Sequence, residues 1–187
     1  MRSLLNAVRH GSLSDVIELL DEGADVEEKD SDGNRPLMTA ASRGMKGMVD
    51  LLIENGARIN VSNHNHATAF YLAVRRDFKQ VAIRLAAEGA AVDTRTGNGV
   101  SALHWAAYNN SLDLIRLILE NGGRPSIPKR DNQGNTALHY AAQSNGIAAI
   151  RLLQGHGASK IAKNNKNRTA YDEANMRGYT NAAALLA

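Results

Sequence analysis

Six histidines are the side chains of this sequence best suited to acid–base chemistry or metal binding near neutral pH. Two of them, His64 and His66, alternate with Asn63 and Asn65 to form the one local cluster. A zinc site needs further ligands, and neither a Cys nor a carboxylate stands close in sequence to supply them. No metal and no cofactor is therefore expected, and His66 reads better as a turn residue. His104 and His139 each follow a hydroxyl residue, Ser101 and Thr136, by three positions, so each ring can bond back to a helix start as a capping box does. Nucleophilic catalysis would need a hydroxyl, a base and an orienting acid to converge, and no GxxxxGK, GxSxG or HExxH motif is present. The chain is expected not to be an enzyme, leaving aside a site assembled from distant loops.

The composition suits a folded domain. Of the 187 residues, 43% are hydrophobic and 22% charged, which is enough for one continuous core. Cys is absent, so no disulfide framework or thiolate chemistry is available, and a reducing compartment fits: the cytoplasm, with the nucleus left open. The start, MRSLLNAVRHG, has too short an apolar stretch for a signal-peptide core, and no later stretch approaches a membrane span. No membrane insertion is expected. Charge is uneven along the chain: residues 1 to 62 carry seven Lys/Arg and eleven Asp/Glu, residues 124 to 187 nine and three.

The elements that must position any site come from an internal repeat. Ala7, Ala40, Ala73 and Ala106 lie 33 residues apart; after a step of 35 comes Ala141, and after another 33 Ala174. Sixteen residues after each of the first five stands a glycine: Gly23, Gly56, Gly89, Gly122 and Gly157. Between these markers SLSDVIELL, GMVDLLIE, DLIRLILE and AAIRLL place apolar residues at helical spacing, each run too short to stand alone. Thr68, Ser101, Thr136 and Thr169 can cap the first helix of four units, and the glycines can close the second. A polar turn follows, with Gly33, Gly99 and Gly134, replaced by His66 and Asn167 elsewhere.

The segments GNRPLMTAA, SALHWAAYNN and GNTALHYAAQSNG resemble the ankyrin motif GxTPLHxAAxxG, and ENGARIN resembles its ENGADVN ending. The resemblance runs over nearly the whole chain and implies an all-α ankyrin-repeat solenoid of about six helix-turn-helix units joined by β-hairpin-like turns. One domain, 1–187, is expected, with units near 1–29, 30–62, 63–95, 96–130, 131–163 and 164–187. No unit carries the full TPLH, and Asp77, Asn110 and Asn145 stand where the family prefers Gly. Physics agrees with stacking, since each Leu or Ile buried between neighbours contributes roughly 1.5 to 3 kcal/mol. Units one and six read as the caps of the array.

Within a first helix the Leu and the two alanines of the motif face inward, as Leu103, Ala106 and Ala107 do, so Trp105, Tyr108 and Asn109 form the opposite stripe. The resemblance assigns that stripe to a concave binding face. Equivalent stripes hold Asn6, Arg9 and His10; Thr39, Ser42 and Arg43; Leu72, Arg75 and Arg76; Tyr140, Gln143 and Ser144; and Glu173, Met176 and Arg177. Trp105, Tyr108 and Tyr140, flanked by Arg75 and Arg76, are of the types that dominate binding hot spots. They point to a partner protein offering an apolar knob beside acidic groups, although the same aromatics could pack on a neighbouring helix instead. A second candidate is GGRPSIPKRDNQG, which holds the two extra residues and is expected to lengthen a hairpin finger tipped by Lys129 and Arg130. The sequence leaves open which surface is the main one, and the insertion is expected to weaken the junction between units four and five.

The function expected is that of a protein-interaction module, an adaptor, scaffold or inhibitor, working as a monomer. Nucleic acid or another polyanion is the rival partner, through Lys129, Arg130, Lys160, Lys163, Lys166 and Arg168. It is disfavoured because the acidic N-terminal third would repel it.

Overall fold

Short amphipathic runs separated by glycine leave the chain one way to bury its apolar faces, by stacking helix pairs. The computed structural model describes residues 3–187, so Met1 and Arg2 of the first expected unit lie outside the described residues. The chain divides into two compact units, Met1–Ala91 and Val92–Ala187. Each holds three helix pairs, and no strand forms among the described residues.

In the first unit the pairs are α1 (Leu4–His10) with α2 (Leu13–Asp21), α3 (Pro36–Ser42) with α4 (Lys46–Glu54), and α5 (Ala69–Arg75) with α6 (Lys79–Ala87). First helices stack on first helices, α1 on α3 and α3 on α5. In the second unit α7 (Ala102–Tyr108) pairs with α8 (Leu112–Ile118), α9 (Ala137–Gln143) with α10 (Ile147–Gly155), and α11 (Ala170–Asn175) with α12 (Thr180–Leu186). Here α9 lies between α7 and α11, and α10 between α8 and α12. Alanine decides the spacing: Ala40, Ala73, Ala106, Ala141 and Ala174 are all fully buried, and their small side chains let successive first helices approach closely. Second helices add Leu52, Leu85, Ile115, Ile118, Ile150 and Leu153, buried completely.

The expected caps form. Thr68 Oγ1 accepts from the Tyr71 amide at 3.2 Å, and Ser101, Thr136 and Thr169 sit in capping boxes. His66, Asp77, Asn110, Asn145 and Asn167 hold positive φ between 53° and 59°, the left-handed turn conformation that glycine usually fills. The connecting turns are hairpin-like, with isolated antiparallel bridges Ser62↔Thr68 and Arg95↔Ser101.

The two extra residues correct an expectation. They do not lengthen the finger: the tight turn that begins at Asp131 has the same length as the one that begins at Asn164, since the Asn135 amide bonds Asp131 as the Arg168 amide bonds Asn164. The insertion is absorbed earlier, where the chain leaves α8 through Leu119–Gly123, kinks at Asn121 and at Gly122 with φ 94°, and makes a 3-10 turn Arg124–Ser126. It brings Ser126 and Ile127 into the buried interior. Gly123 is required by a close approach, since a Cβ there would run into Cγ2 of Ile118 and lie 2.6 Å from its carbonyl oxygen.

The histidines of α7 and α9 tie neighbouring repeats together. His104 Nδ1 accepts from the Ser101 amide at 3.1 Å, and its Nε2–H donates to the Asn135 carbonyl at 3.1 Å; His139 does the same with Thr136 at 3.2 Å and Arg168 at 3.0 Å. This pattern needs a neutral ring, and burial holds both pKa values below the usual histidine value. The unfolded chain therefore takes up these protons first as pH falls.

Stability should be insensitive to these groups above about pH 6.5 and fall below it, by at most about 1.4 kcal/mol per pH unit for each histidine. Urea unfolding at a series of pH values measures this. A His104→Gln, His139→Gln variant should be less stable yet flatter in its pH response between 7 and 5, and an unaltered slope would refute the assignment. Gly123→Ala should cost about 1–3 kcal/mol through overpacking. In the same unfolding assay Gly155→Ala, where nothing lies within 4 Å of the new methyl, should stabilise by about 0.5–1 kcal/mol.

Candidate partner-binding surface

The stripe residues of the second unit do converge. Helical spacing sets Trp105 and Tyr108 one turn apart on α7, and α9 stacked alongside brings Tyr140 against both. Trp105 and Tyr108 lie 5.7 Å apart between ring centroids, Trp105 and Tyr140 6.0 Å, and Tyr108 and Tyr140 6.4 Å, every pair edge to face. His104 extends the cluster inward, 4.9 Å from Tyr140. Trp105 and Tyr140 are half-buried, whereas Tyr108 keeps 42% of its surface exposed. The rings wall a cleft of about 550 Å³ whose other side is made by finger residues Asn98, Asp131, Asn132, Gln133 and Asn135, with Gln143 at its end. Asn109, the residue that closes α7, is half-buried.

Asp131 fixes the finger wall. Its Oδ1 accepts the amides of Gln133 at 2.9 Å and Asn135 at 2.8 Å, and its Oδ2 accepts Asn135 Nδ2 at 3.2 Å and the Tyr140 hydroxyl at 3.0 Å. The finger and the aromatic cluster are thus one hydrogen-bonded piece. Asn135 Oδ1 accepts from Asn164 Nδ2 at 2.8 Å, and Asn164 Nδ2 also reaches Glu173 at 3.1 Å.

Glu173 departs from expectation. It was placed on the exposed stripe, yet it is 3% exposed, because Arg177 at 2.5 Å, Arg168 at 3.6 Å, Asn164 and Gln143 surround its carboxylate. Burial alone would raise its pKa; the bonds from Arg177 and Asn164 outweigh that and hold it below the usual carboxylate range.

The remaining candidates stand elsewhere. Arg43, Leu72, Arg75 and Arg76 belong to the first unit, where Arg43 closes α3 and Arg76 closes α5; the three arginines are exposed and Leu72 is half-buried. Lys129 and Arg130 are tied down rather than presented on a tip: Lys129 Nζ pairs with Asp93 at 2.5 Å, and Arg130 Nη1 donates to the Lys163 carbonyl at 2.6 Å. The His64 ring packs over Gly33, and no group of three His, Cys, Asp or Glu among the described residues could hold a metal ion. No helix among them is long and apolar enough to cross a membrane.

Sequence reasoning missed the finger acid. Asp30, Asn63, Thr96, Asp131 and Asn164 recur at the repeat spacing, and four of the five accept two turn amides each. Their common register was the signal.

Removing only the Tyr140 hydroxyl tests the link between cluster and finger. Tyr140→Phe should cost about 1.5–3 kcal/mol, the value of a hydrogen bond to a charged group, with the Trp105 emission maximum unmoved. A loss below 0.5 kcal/mol in urea unfolding would show that the link is not a structural one.

Residues 4–96 and 79–164 match the family model for ankyrin repeats in three copies. Over 117 residues the chain is 32% identical to neurogenic locus notch homolog protein 2 of Homo sapiens, covering 62% of this chain and 5% of that protein. Over 128 residues it is 34% identical to a probable E3 ubiquitin-protein ligase of Oryza sativa subsp. japonica, covering 67% and 26%. The chain thus spans only a small part of those relatives. A chain from the solved structure of a predatory endopeptidase of Bdellovibrio bacteriovorus in complex with an immunity protein is 31% identical, with a TM-score of 0.88 over 100% of this chain and 97% of that one.

Proposed function

From its membership of the ankyrin-repeat family, whose repeats are protein-interaction modules, we propose that this chain is the binding subunit of a protein–protein complex, gripping its partner through the cleft of the second unit. The aromatic cluster carries the reading. Trp105, Tyr108 and Tyr140 put large apolar area and polar edges at the mouth of one cleft, the combination on which hot spots are built. The cleft is held in shape by Asp131 and the neighbouring finger, so little ordering is left to be done on binding. Arg43, Leu72, Arg75 and Arg76 form a separate contact surface on the first unit.

The structural likeness to a chain from an endopeptidase–immunity protein complex makes a peptidase the first partner class to offer, with this chain as the inhibitor. The polyanion alternative is weakened by where the cations are used. Lys129 pairs with Asp93, Arg130 and Lys160 donate to backbone carbonyls, and Arg168 leans on Glu173.

Capture from native lysate on immobilised chain tests the proposal, with nuclease treatment and a Trp105→Ala control shown by circular dichroism to be folded. One protein should be retained, with affinity falling at least about 30-fold in Trp105→Ala, the loss of about 2 kcal/mol typical of a hot spot. Capture unaffected by Trp105→Ala, or abolished by nuclease, would remove the aromatic cleft from the function.

A further inference from the structure

The cleft has a charge left over. Among the residues lining it Asp131 is the one acid and no base is present, and Asp131 is only 8% exposed. A carboxylate this far out of water ordinarily keeps a cation beside it, and Glu173, the other buried acid among the described residues, follows that rule, as do several half-buried ones, whereas the half-buried Asp172 is bonded by Thr169. Glu173 has Arg177 and Arg168, Asp93 has Lys129, Asp50 has Lys46 and Arg84, and Glu27 has Arg58. All four hydrogen bonds to Asp131 come from neutral donors: two backbone amides, an asparagine and a tyrosine.

The repeat supplies an internal control. Asp30 holds the finger position in the first unit that Asp131 holds in the second, accepting the amides of Asp32 and Asn34 as Asp131 accepts those of Gln133 and Asn135. Its cation is Arg9, 2.5 Å away, reaching over from the first helix of the preceding repeat. Arg9 stands two residues after the register alanine Ala7. Two residues after the corresponding Ala106 stands Tyr108. By register, repeat four therefore has an aromatic ring where repeat one has the guanidinium, while the finger residue across the cleft is an aspartate in both. Where the finger acid is a neutral Asn, at Asn63 and Asn164, the corresponding helix residues are Ser42 and Gln143, which are also neutral. At the fifth finger Thr96 is neutral and the corresponding helix residue is Arg75, so among the described residues Asp131 is the finger acid with no ion pair.

On Asp131 the Oδ2 position that Arg9 takes on Asp30 is filled by the Tyr140 hydroxyl, a donor without charge. We propose that the cleft walled by Trp105, Tyr108, Tyr140 and Asp131 receives an arginine or lysine side chain of the partner protein, which lies against the rings and supplies the cation that Asp131 lacks. This rests on the cleft being the partner site and names what enters it. The chemistry suits the entrant: a cation is attracted to the face of Trp and Tyr rings, a planar guanidinium can also stack on them, and Asp131 completes the charge balance. The cleft asks for the opposite charge from the acidic groups that Arg75 and Arg76 suggested; those arginines lie on the other unit.

Trp105 is the single tryptophan of the chain, so its emission reports on the cleft directly. The probes are capped tripeptides Gly-Xaa-Gly in which Xaa is arginine, lysine, citrulline, norleucine or glutamate, titrated to millimolar concentration. Citrulline and norleucine keep the shape of arginine and lysine without the charge. The arginine peptide should perturb Trp105 with at least tenfold higher affinity than the citrulline peptide, and lysine should likewise exceed norleucine. Asp131→Asn should bring the arginine-to-citrulline ratio to about one. Tyr108→Arg, which rebuilds the arrangement of repeat one at an exposed position, should abolish arginine binding and keeps the test decisive should Asp131→Asn unfold. Equal binding of arginine and citrulline, preference for glutamate, or full arginine binding by Tyr108→Arg would overturn the cation proposal while leaving the cleft as a partner site. A Trp105 signal unmoved by every peptide would also overturn it, and the capture experiment judges the cleft itself independently.

Discussion

A helix of six or seven residues does not hold itself together in water, and no first helix of this chain is longer. Its stability has to come from the neighbours on either side, and what lets those neighbours close in is the buried alanine column, Ala40 to Ala73 in one unit and Ala106 to Ala174 in the other. Everything at the surface inherits that spacing. Trp105 and Tyr140 meet at 6.0 Å because α7 and α9 approach as closely as alanine permits. A larger residue at Ala106 or Ala141 would spread the helices and open the cleft before it altered a single residue lining it.

Polar groups then fix what alanine brings close. The finger acid or amide gathers its own turn amides, the histidine rings of α7 and α9 cross to carbonyls of the next finger, and Asn164 links the Asp131 finger to Glu173. These bonds are buried or partly buried, where an unpaired group would be costly, so each helps to exclude alternative registers. The binding surface is in this sense continuous with the fold. Asp131 is both a structural clasp and the charge that the cleft displays.

Much of this was legible in the sequence, for reasons that can be stated. The alanine and glycine markers report on backbone spacing and helix termination, properties that local chemistry dictates, and so they located the helices and the left-handed turn positions His66 and Asn167, while Asp77, Asn110 and Asn145, noted only as standing where the family prefers Gly, take the same conformation. The convergence of Trp105, Tyr108 and Tyr140 followed from helical spacing and from the stacking of successive first helices. Two readings went astray where neighbours decide. Counting placed two extra residues between Gly122 and Gly134 and suggested a longer finger; the apolar Ile127 favoured the base of the finger instead, where it adds to the core. Glu173 lay on the outward stripe by angle, yet two arginines and Asn164 made burial of its carboxylate favourable.

The insertion also bears on how such a chain can change over generations. Repeats that share one length and one register can be duplicated, lost or exchanged by unequal recombination with the core contacts re-formed at the new junction. The segment from Leu119 to Ile127 does not obey that interchangeability, since its Gly123 fits only against Ile118 and its Ser126 bonds Asp93 of the preceding finger. An exchange breaking inside it would separate a glycine from the one isoleucine it accommodates. Repeats four and five are therefore expected to travel through descent as a linked pair, keeping the two helices that build the aromatic cleft in one heritable block.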